Sequence, residues 1–277
     1  MTHITIGAEK VSLEKPVVMG ILNVTPDSFY DGGKYTSELK IMERVDEIVE
    51  QGAGIIDVGA YSTRPGAAFV DAQEELSRLS FAVELIRKYY PHLPVSIDTF
   101  RSSVAARTIH KYGKVIINDI SAGELDPLIV DVAAEHDVPY VAMHMKGDPR
   151  TMQSMTDYRD IVAEVVDYFR ERTAQLRERG VRRIVVDPGF GFAKTLEQNY
   201  ELLRGLHRLA ELGYPVLAGV SRKSMIYKLL GTTPAEALNG TTALHWECLR
   251  QGAVILRAHD TREAVEVVRM FDQFMQA

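Results

Sequence analysis

Eight short, mostly apolar segments recur along the chain, and apart from residues 94–98 they do not alternate regularly between apolar and polar residues. Each contains valine or isoleucine. A strand that is apolar on both faces is typical of a parallel sheet covered by helices, whereas a strand with one solvent-facing side alternates. We therefore predict eight buried parallel strands, at residues 17–22, 55–60, 94–98, 115–119, 139–144, 183–187, 215–220 and 253–257.

Longer segments between these strands carry apolar residues at helical spacing. Glycine or proline precedes six of the eight strands, which is where a helical pattern should end. The predicted helices cover residues 37–51, 71–90, 102–112, 125–136, 157–179, 196–212, 235–251 and 261–275.

Eight strands alternating with eight helices favour a single (β/α)₈ barrel, a fold of about 250 residues. The alternative is an open, doubly wound sheet. Its dinucleotide-binding form needs a G-x-G-x-x-G turn after the first strand, and the chain has no such motif there or elsewhere. We expect residues 1–277 to form one α/β barrel domain, with residues 1–16 as a small hairpin closing the barrel floor.

Composition and charge exclude several classes of protein. Apolar residues make up 46% and charged residues 25%, which excludes a disordered, collagen-like or coiled-coil chain. The net charge of −6, without a basic run, argues against a nucleic-acid partner but allows a local anion pocket. No apolar run approaches about 18 residues, so we expect a cytoplasmic protein without a membrane partner. The single cysteine, Cys248, is expected to pack within a helix.

Polar residues follow the apolar run of every predicted strand at its C-terminal end, the end that carries the active site in (β/α)₈ barrels. They include Asn23, Asp98, Asn118, Asp119, His144, Asp187, residues 221–224, Arg257, His259 and Asp260. Asp98 and Asp187 directly follow an apolar residue. Their carboxylates should therefore point into the barrel mouth, where burial without a function would only cost free energy.

Several of the other polar residues have a structural explanation. Asp119 and Asp260 precede predicted helices and are expected to serve mainly as N-caps. Asp57 lies inside the second strand and is expected to join an internal polar network. For His144, a core role and a role in the site stand as equal alternatives.

Strands eight, one and two are neighbours in a closed barrel, so their polar residues should meet on one side of the mouth. These residues are Asn23, Arg64, Arg257 and His259. Basic groups and an amide oxygen suit a diphosphate accompanied by Mg²⁺, which we expect as the cofactor.

The opposite side of the mouth is predicted to hold Asp98, Asn118, Asp187 and Lys223. Two carboxylates, an amide and an ammonium group suit a flat heterocycle with several N–H donors and a carbonyl. A bound ring and a bound diphosphate, without a protein nucleophile, indicate alkyl transfer with departure of diphosphate.

Eight sequence motifs are spread over nearly the whole chain. They read MGILNVTPDSFYDGG (19–33), STRPG (62–66), SIDT (96–99), IINDIS (116–121), MHMKGDP (143–149), VDPGFGFAK (186–194), GVSRKS (219–224) and RAHD (257–260). The series resembles the dihydropteroate synthases, pterin-binding enzymes of folate synthesis. The resemblance implies a (β/α)₈ barrel that condenses 6-hydroxymethyl-7,8-dihydropterin diphosphate with p-aminobenzoate. It also implies a dissociative route to 7,8-dihydropteroate, in which diphosphate leaves first.

The resemblance also implies roles for particular residues. The pterin pocket corresponds to Asp98, Asn118, Met143, Asp187, Phe192 and Lys223. The diphosphate corresponds to Asn23 (through Mg²⁺), Arg64, Arg257 and His259. The p-aminobenzoate site corresponds to Phe29, Thr63, Arg64, Pro65, Lys223 and Ser224. Catalysis is expected to depend on Lys223, Asp98, Arg64 and Asp187, in an enzyme that is usually a homodimer and a sulfonamide target.

Two positions depart from the family pattern. Tyr61 stands where many members have glutamate, and Ala122 lies where a Gly-Gly pair is expected. Two other functions stay open. A pterin-binding methyltransferase domain would need neither the diphosphate residues nor the SRKS segment. A non-catalytic pterin-binding paralogue should have lost Asn23, Lys223, Arg257 or His259.

Overall fold

Two antiparallel strands, β1 (His3–Ile6) and β2 (Glu9–Ser12), precede eight parallel strands in the computed structural model. The structure describes residues 3–24, 33–61, 70–148 and 151–277. The parallel strands are β3 (Val17–Asn23), β4 (Ile55–Gly59), β5 (Val95–Asp98), β6 (Ile116–Asp119), β7 (Tyr140–Met143), β8 (Ile184–Asp187), β9 (Leu217–Ala218) and β10 (Ile255–Ala258).

The parallel strands form a closed ring. Their hydrogen-bonded order is β8-β7-β6-β5-β4-β3-β10-β9. Val186 of β8 then pairs with Val216 beside β9, and its amide donates to the Pro215 carbonyl at 3.0 Å. The predicted barrel is therefore confirmed, and the open doubly wound sheet is wrong.

Helices alternate with the strands of the ring. Among the described residues they are α1 (Gly33–Glu50), α2 (Ala72–Tyr89), α3 (Ser102–Tyr112), α4 (Leu128–Glu135), α5 (Ile161–Glu178), α6 (Leu196–Arg204), α7 (His207–Ala210), α8 (Ser224–Leu230), α9 (Leu238–Arg250) and α10 (Thr261–Gln276). Single 3₁₀ turns lie at Met152–Ser154 and Pro234–Glu236. No helix in the described part of the chain is long and apolar enough to cross a membrane.

Two predicted helices are shorter or interrupted. The segment 125–136 is helical only over Leu128–Glu135. The segment 196–212 divides near Gly205 into α6 and α7. A side chain at Gly205 would approach the Val162 methyl groups to 2.7 Å, so glycine allows this segment to lie close against α5.

The hairpin of β1 and β2 covers one end of the barrel. Its apolar side chains pack in one cluster with inward-facing side chains of seven barrel strands. The cluster contains Ile4, Ile6, Val11, Leu13, Met19, Ile55, Ile116, Val141, Val185, Leu217 and Ile255. This apolar floor leaves the opposite end, where the strands finish, as the place for polar side chains.

The larger core lies between the outer face of the ring and the helices. Strand residues such as Ile56, Ile97 and Ile117 contact helix residues there, and all three are fully buried. Burial of each such side chain stabilises the fold by about 1.5–3 kcal/mol. Cys248 is fully buried in this core on α9, as predicted.

Candidate active site

A guanidinium group held between two carboxylates occupies the barrel mouth. Arg257 Nε donates to Asp57 Oδ2 at 2.6 Å, and its Nη2 donates to Asp98 Oδ2 at 2.9 Å. Asn118 Nδ2 donates to the same Asp57 oxygen at 3.2 Å. Asp57 is fully buried, so it belongs to an internal polar network, as predicted.

Strand alternation explains why these residues meet. Ile116 and Ile255 belong to the barrel floor. Residues two positions further along a strand point to the same side, so Asn118 and Arg257 also face inward. The long Arg257 side chain then reaches across the β3 position to the carboxylates of β4 and β5.

The expected separation of an acidic side from a basic side is wrong for Arg257. Its guanidinium contacts Asp98 directly instead of lying across the mouth from it. Asn23 also lies close to this acid. A side chain at Gly59 would lie 3.2 Å from Asn23 Oδ1 and 3.9 Å from Asp98 Oδ2, so the two flank one glycine. Asn23 and Arg257, from the predicted basic side, therefore lie beside Asp98 from the predicted acidic side.

Burial shifts the protonation equilibria in this site. It raises the pKa of Asp98 to about 7, although the Arg257 guanidinium opposes the change and 22% of the side chain is exposed. It also raises the pKa of Asp187, and Lys223 opposes that change. The pKa of Lys223 falls to about 8 because of burial, against the attraction of Asp187. Each of these groups can therefore change charge more easily than its exposed counterpart.

The segment after β8 forms one wall of the mouth. Asp187 Oδ1 accepts a hydrogen bond from the Gly189 amide at 2.8 Å. Lys223 Nζ donates to the Phe190 carbonyl at 2.5 Å and lies 4.8 Å from the centre of the Phe192 ring. Phe192 packs with Met143 in an apolar cluster. The wall thus combines an ammonium group, a carboxylate and an apolar surface.

His259 lies beside the segment that follows β9. Its Nδ1 is 3.1 Å from Ser221 Oγ, and its main-chain amide donates to the same oxygen at 3.1 Å. Ser224, two residues beyond Arg222, is the first residue of α8. The ends of β9 and β10 are therefore joined at this rim.

The N-cap prediction is wrong for the side chain of Asp260. Asp260 stands at the N-cap position of α10 but makes no side-chain cap hydrogen bond. Its carboxylate instead accepts from Arg222 Nη2 at 2.6 Å and Nε at 2.9 Å. A bidentate pair with a guanidinium satisfies both oxygens and leaves them unavailable for the cap. Arg222, which the sequence motif contains but to which we assigned no role, holds the two segments together.

Asp119 is not a helix N-cap either. Its carboxylate closes a turn, accepting from the Ser121 amide and hydroxyl at 2.8 Å, the Gly123 amide at 2.7 Å and the Tyr140 hydroxyl at 2.6 Å. The following helix begins later, at Leu128. Because Asn118 faces inward, the next residue must face the outer layer.

His144 belongs to the core side of its strand end. It is 3% exposed, and its ring packs edge-on against Tyr168 with 4.9 Å between centroids. Burial and the nearby Lys194 ammonium hold the pKa of this imidazole well below its usual value. We assigned no role to Lys194, although the VDPGFGFAK segment contains it.

The two departures from the family pattern have defined surroundings. Tyr61 packs edge-on against Phe100 at 5.7 Å, with the Arg101 guanidinium 5.4 Å from the Tyr61 ring centre. Arg101 is also ion-paired with the buried carboxylate of Glu75. Ala122 adopts a φ of +50°, a left-handed conformation that favours glycine. Its backbone therefore keeps the conformation expected of a glycine.

Four of the predicted site residues, Phe29, Thr63, Arg64 and Pro65, lie outside the described residues. Within the described ranges, no group of three or more His, Cys, Asp or Glu side chains is arranged to hold a metal ion.

The chain is similar to known proteins over most of its length. The family model described as "Pterin binding enzyme" matches residues 19–259. The dihydropteroate synthase of Escherichia coli K12 is 43% identical over 269 residues, which span 96% of this chain and 94% of that protein. The enzyme of the same name from Synechocystis is 42% identical over 262 residues, which span 94% of this chain and 90% of that protein.

Solved structures with the same fold also match over the whole chain. The Yersinia pestis dihydropteroate synthase, in a complex with a sulfonamide drug, has a TM-score of 0.92 at 37% identity, covering 99% of this chain and all of the other. The Xanthomonas albilineans enzyme in complex with 7,8-dihydropteroate has a TM-score of 0.87 at 35% identity, with 99% of each chain covered. The same enzyme with 4-aminobenzoic acid has a TM-score of 0.90 at 37% identity, covering all of this chain and 99% of the other.

Proposed function

The chain belongs to the dihydropteroate synthase family of pterin-binding enzymes, and from that premise we propose its substrates and the roles of its residues. The substrates are 6-hydroxymethyl-7,8-dihydropterin diphosphate and p-aminobenzoate, and the products are 7,8-dihydropteroate and diphosphate. The observation that carries the proposal is the single polar site formed by Asp98, Asn118, Asp187, Lys223 and Arg257. Relatives solved with 4-aminobenzoic acid and with 7,8-dihydropteroate support these substrate classes.

The pterin ring is held by groups of matching polarity. Carboxylates at Asp98 and Asp187 accept hydrogen bonds from ring and exocyclic N–H groups, and Lys223 donates to the ring carbonyl. The apolar cluster with Met143 and Phe192 covers a face of the flat ring. The hydrogen bonds at the ring edge and the apolar contact with the ring face together orient the exocyclic methylene toward the open mouth.

The reaction breaks the bond between that methylene carbon and the diphosphate oxygen, and the electron pair leaves with diphosphate. Positive charge then spreads over the methylene and the electron-rich ring, where the carboxylates of Asp98 and Asp187 stabilise it. The amine of p-aminobenzoate supplies the electron pair for the new carbon–nitrogen bond and afterwards loses a proton. A closed site excludes water, which would otherwise capture the cation.

The diphosphate is bound at the rim by Asn23 and His259, with Arg257 between the two substrate halves. Arg64, which lies outside the described residues, is assigned to the diphosphate by the resemblance alone. The side-chain oxygen of Asn23 lies beside Gly59 at the mouth, and an amide oxygen is a hard donor of the kind that Mg²⁺ accepts. Mg²⁺ usually relies on few protein ligands and on substrate phosphates, which fits a site with a single amide. Bound Mg²⁺ would neutralise charge on the leaving diphosphate.

A diphosphate-release assay tests the proposed reaction. The purified chain is mixed with both substrates and Mg²⁺, and dihydropteroate is identified by its mass. Formation of dihydropteroate must depend on p-aminobenzoate, so omission of this amine is the control. Pterin binding without turnover would support a non-catalytic paralogue, and methyl transfer to a corrinoid would support a methyltransferase. The presence of Asn23, Lys223, Arg257 and His259 favours the synthase over both.

We further propose that two copies of the chain associate through the outer face of α10. Met270, Phe274 and Met275 are each 64–66% exposed there. Phe271 and Phe274 pack edge-on against Trp246 of α9 at 5.4 and 5.5 Å. An exposed apolar face suits an identical face across a two-fold axis. Sedimentation should give the mass of two chains, and Phe274→Glu should give one; a variant that stays dimeric would contradict this placement.

A further inference from the structure

Lys194 is a buried ammonium group without an acidic hydrogen-bond partner among the described residues. It is 5% exposed, and Nζ lies 3.0 Å from the Gly189 carbonyl, 2.9 Å from the Phe192 carbonyl and 3.1 Å from His144 Nδ1. A weaker contact at 3.5 Å reaches the His144 carbonyl. All of these acceptors are neutral. Burial lowers the pKa of Lys194 to about 7, against the attraction of the Asp187 carboxylate, so an ammonium group here is expensive in free energy. Stability alone therefore does not account for a lysine at this position.

The acceptors of Lys194 come from two different strand ends. His144 follows β7, whereas Gly189 and Phe192 belong to the segment after β8. This segment lies tightly against the end of β7, because a side chain at Gly189 would collide with the His144 carbonyl oxygen. Gly189 also adopts a φ of +68°, in the left-handed region. The ammonium group therefore ties the segment to the neighbouring strand at the point of closest approach.

The tied segment carries several groups assigned above to the pterin pocket. Its first residue, Asp187, accepts from the Gly189 amide, and the Phe190 carbonyl anchors Lys223. The Phe192 ring lies against the same Lys223 ammonium. Displacement of the segment would move a carboxylate, a lysine anchor and an aromatic wall together. None of the described hydrogen bonds of Lys194 is to these side chains, although its ammonium group attracts the Asp187 carboxylate and repels the Lys223 ammonium.

We propose that Lys194 is a positioning residue for the pterin pocket, whose ammonium group holds the 187–194 segment in its binding conformation by joining two of its carbonyls to His144. The proposal rests on the proposed function, since it assumes that the pocket binds a pterin. Lys194 needs no contact with the substrate. Its effect passes through Asp187, Phe192 and the anchor of Lys223.

Replacement of Lys194 by methionine tests the proposal, because it removes the charge and keeps the length and apolar stem. The probe is 6-hydroxymethyl-7,8-dihydropterin without diphosphate, and its Kd is measured by calorimetry on folded protein. We expect Lys194→Met to raise this Kd by about tenfold or more, as for the loss of charged hydrogen bonds. The matched control is Lys146→Met, because Lys146 bonds the Asp157 carbonyl and Glu164 on the surface. The control should keep the wild-type Kd within about twofold. Folded Lys194→Met with the wild-type pterin Kd would overturn the proposal.

Should Lys194→Met fold poorly, substitutions at His144 test the same hydrogen bond from the side of its acceptor. His144→Leu removes the acceptor and should raise the pterin Kd, whereas His144→Asn retains an acceptor atom near the position of Nδ1 and should restore it in part. A purely structural role would lower Tm in both variants without separating their pterin Kd values. Equal Kd values for these variants and the wild type would also overturn the proposal.

Failure of the proposed function gives a different result. In that case wild-type protein would form no dihydropteroate, or would not bind the pterin probe at all. The Lys194 proposal fails only where the wild type binds the probe and the variants bind it equally well.

Discussion

Asp98 and Asp119 end neighbouring strands of the barrel, yet their carboxylates have opposite surroundings. Asp98 pairs across the strands with Asn118, which places Asp119 one residue beyond this register. Asp98 points inward, contacts Arg257 and stays partly exposed to the mouth. Asp119 points outward and is fully buried, with four hydrogen-bond donors around it.

The difference shows how strand alternation separates binding from scaffolding at the same end of a barrel. A carboxylate whose acceptor positions are filled by its own chain has no capacity left for a ligand. A carboxylate in the mouth that pairs with one shared guanidinium keeps oxygen lone pairs for a substrate. We call residues that point into the barrel, such as Asp98, the inner layer, and residues that point toward the helices, such as Asp119, the outer layer. Inner-layer substitutions should therefore change pterin binding and turnover, and outer-layer substitutions should change stability.

The largest effect is expected at Lys223 in the inner layer. Lys223→Ala removes the donor placed at both substrates, so kcat should fall by roughly a hundredfold or more. Steady-state kinetics at saturating substrates measures this loss. Lys228→Ala, on the exposed side of helix α8, which begins directly after Lys223, is the control and should keep normal turnover. Near-normal kcat in Lys223→Ala would remove this lysine from the site.

Asp187→Asn should mainly weaken pterin binding. The amide retains the size of the side chain but replaces a charged acceptor with a neutral group, which should cost roughly 2–4 kcal/mol of binding free energy in a buried site. Calorimetric titration with the pterin gives this number directly. An unchanged Kd, in protein of normal Tm, would contradict an inward role for Asp187.

Asp119→Asn is the outer-layer counterpart. Its amide group would meet hydrogen-bond donors, so the free energy of unfolding should fall by about 1–3 kcal/mol. Denaturant unfolding measures this change. The KM for the pterin substrate in the folded variant should match the wild type. A large increase in KM would contradict the assignment of Asp119 to stability alone.

The smallest effect is the pH dependence that Asp98 contributes. Its pKa of about 7 in the folded chain exceeds the ordinary value of 3.8, so the folded state holds the proton more tightly than the unfolded state. Its contribution to stability is therefore complete below about pH 4 and is lost as the pH rises through about 7. Pterin affinity should change in the opposite sense, because the ionised carboxylate is the better acceptor for N–H donors.

Asp98→Asn separates this titration from that of other groups. The variant should bind the pterin more weakly, and its affinity should vary less between about pH 6 and about pH 8 than that of the wild type. Calorimetry at several pH values provides the comparison. An identical pH profile in the variant would assign the titration to a different residue.

Much of the site could be predicted because a parallel barrel brings all strand ends to one side. Asn23, Asp98, Asn118, Asp187 and Arg257 were recognised from that rule and lie together at the mouth. The N-cap prediction for Asp119 is wrong, although strand alternation after the inward-facing Asn118 indicates that the Asp119 side chain points outward. Lys194 was overlooked because a lysine in a loop is normally solvated, and only the fold reveals its burial.

The order of apolar runs, glycines and prolines determined by itself that this chain forms eight parallel strands with helices between them. It also determined which residues stand at the strand ends, because local spacing and side-chain polarity are properties of the chain alone. Tertiary structure decided that Arg257 is shared by two carboxylates, that Asp260 pairs with Arg222 and that Lys194 joins two strand ends. These contacts join residues far apart in the chain, and their partners depend on side-chain reach within the closed ring.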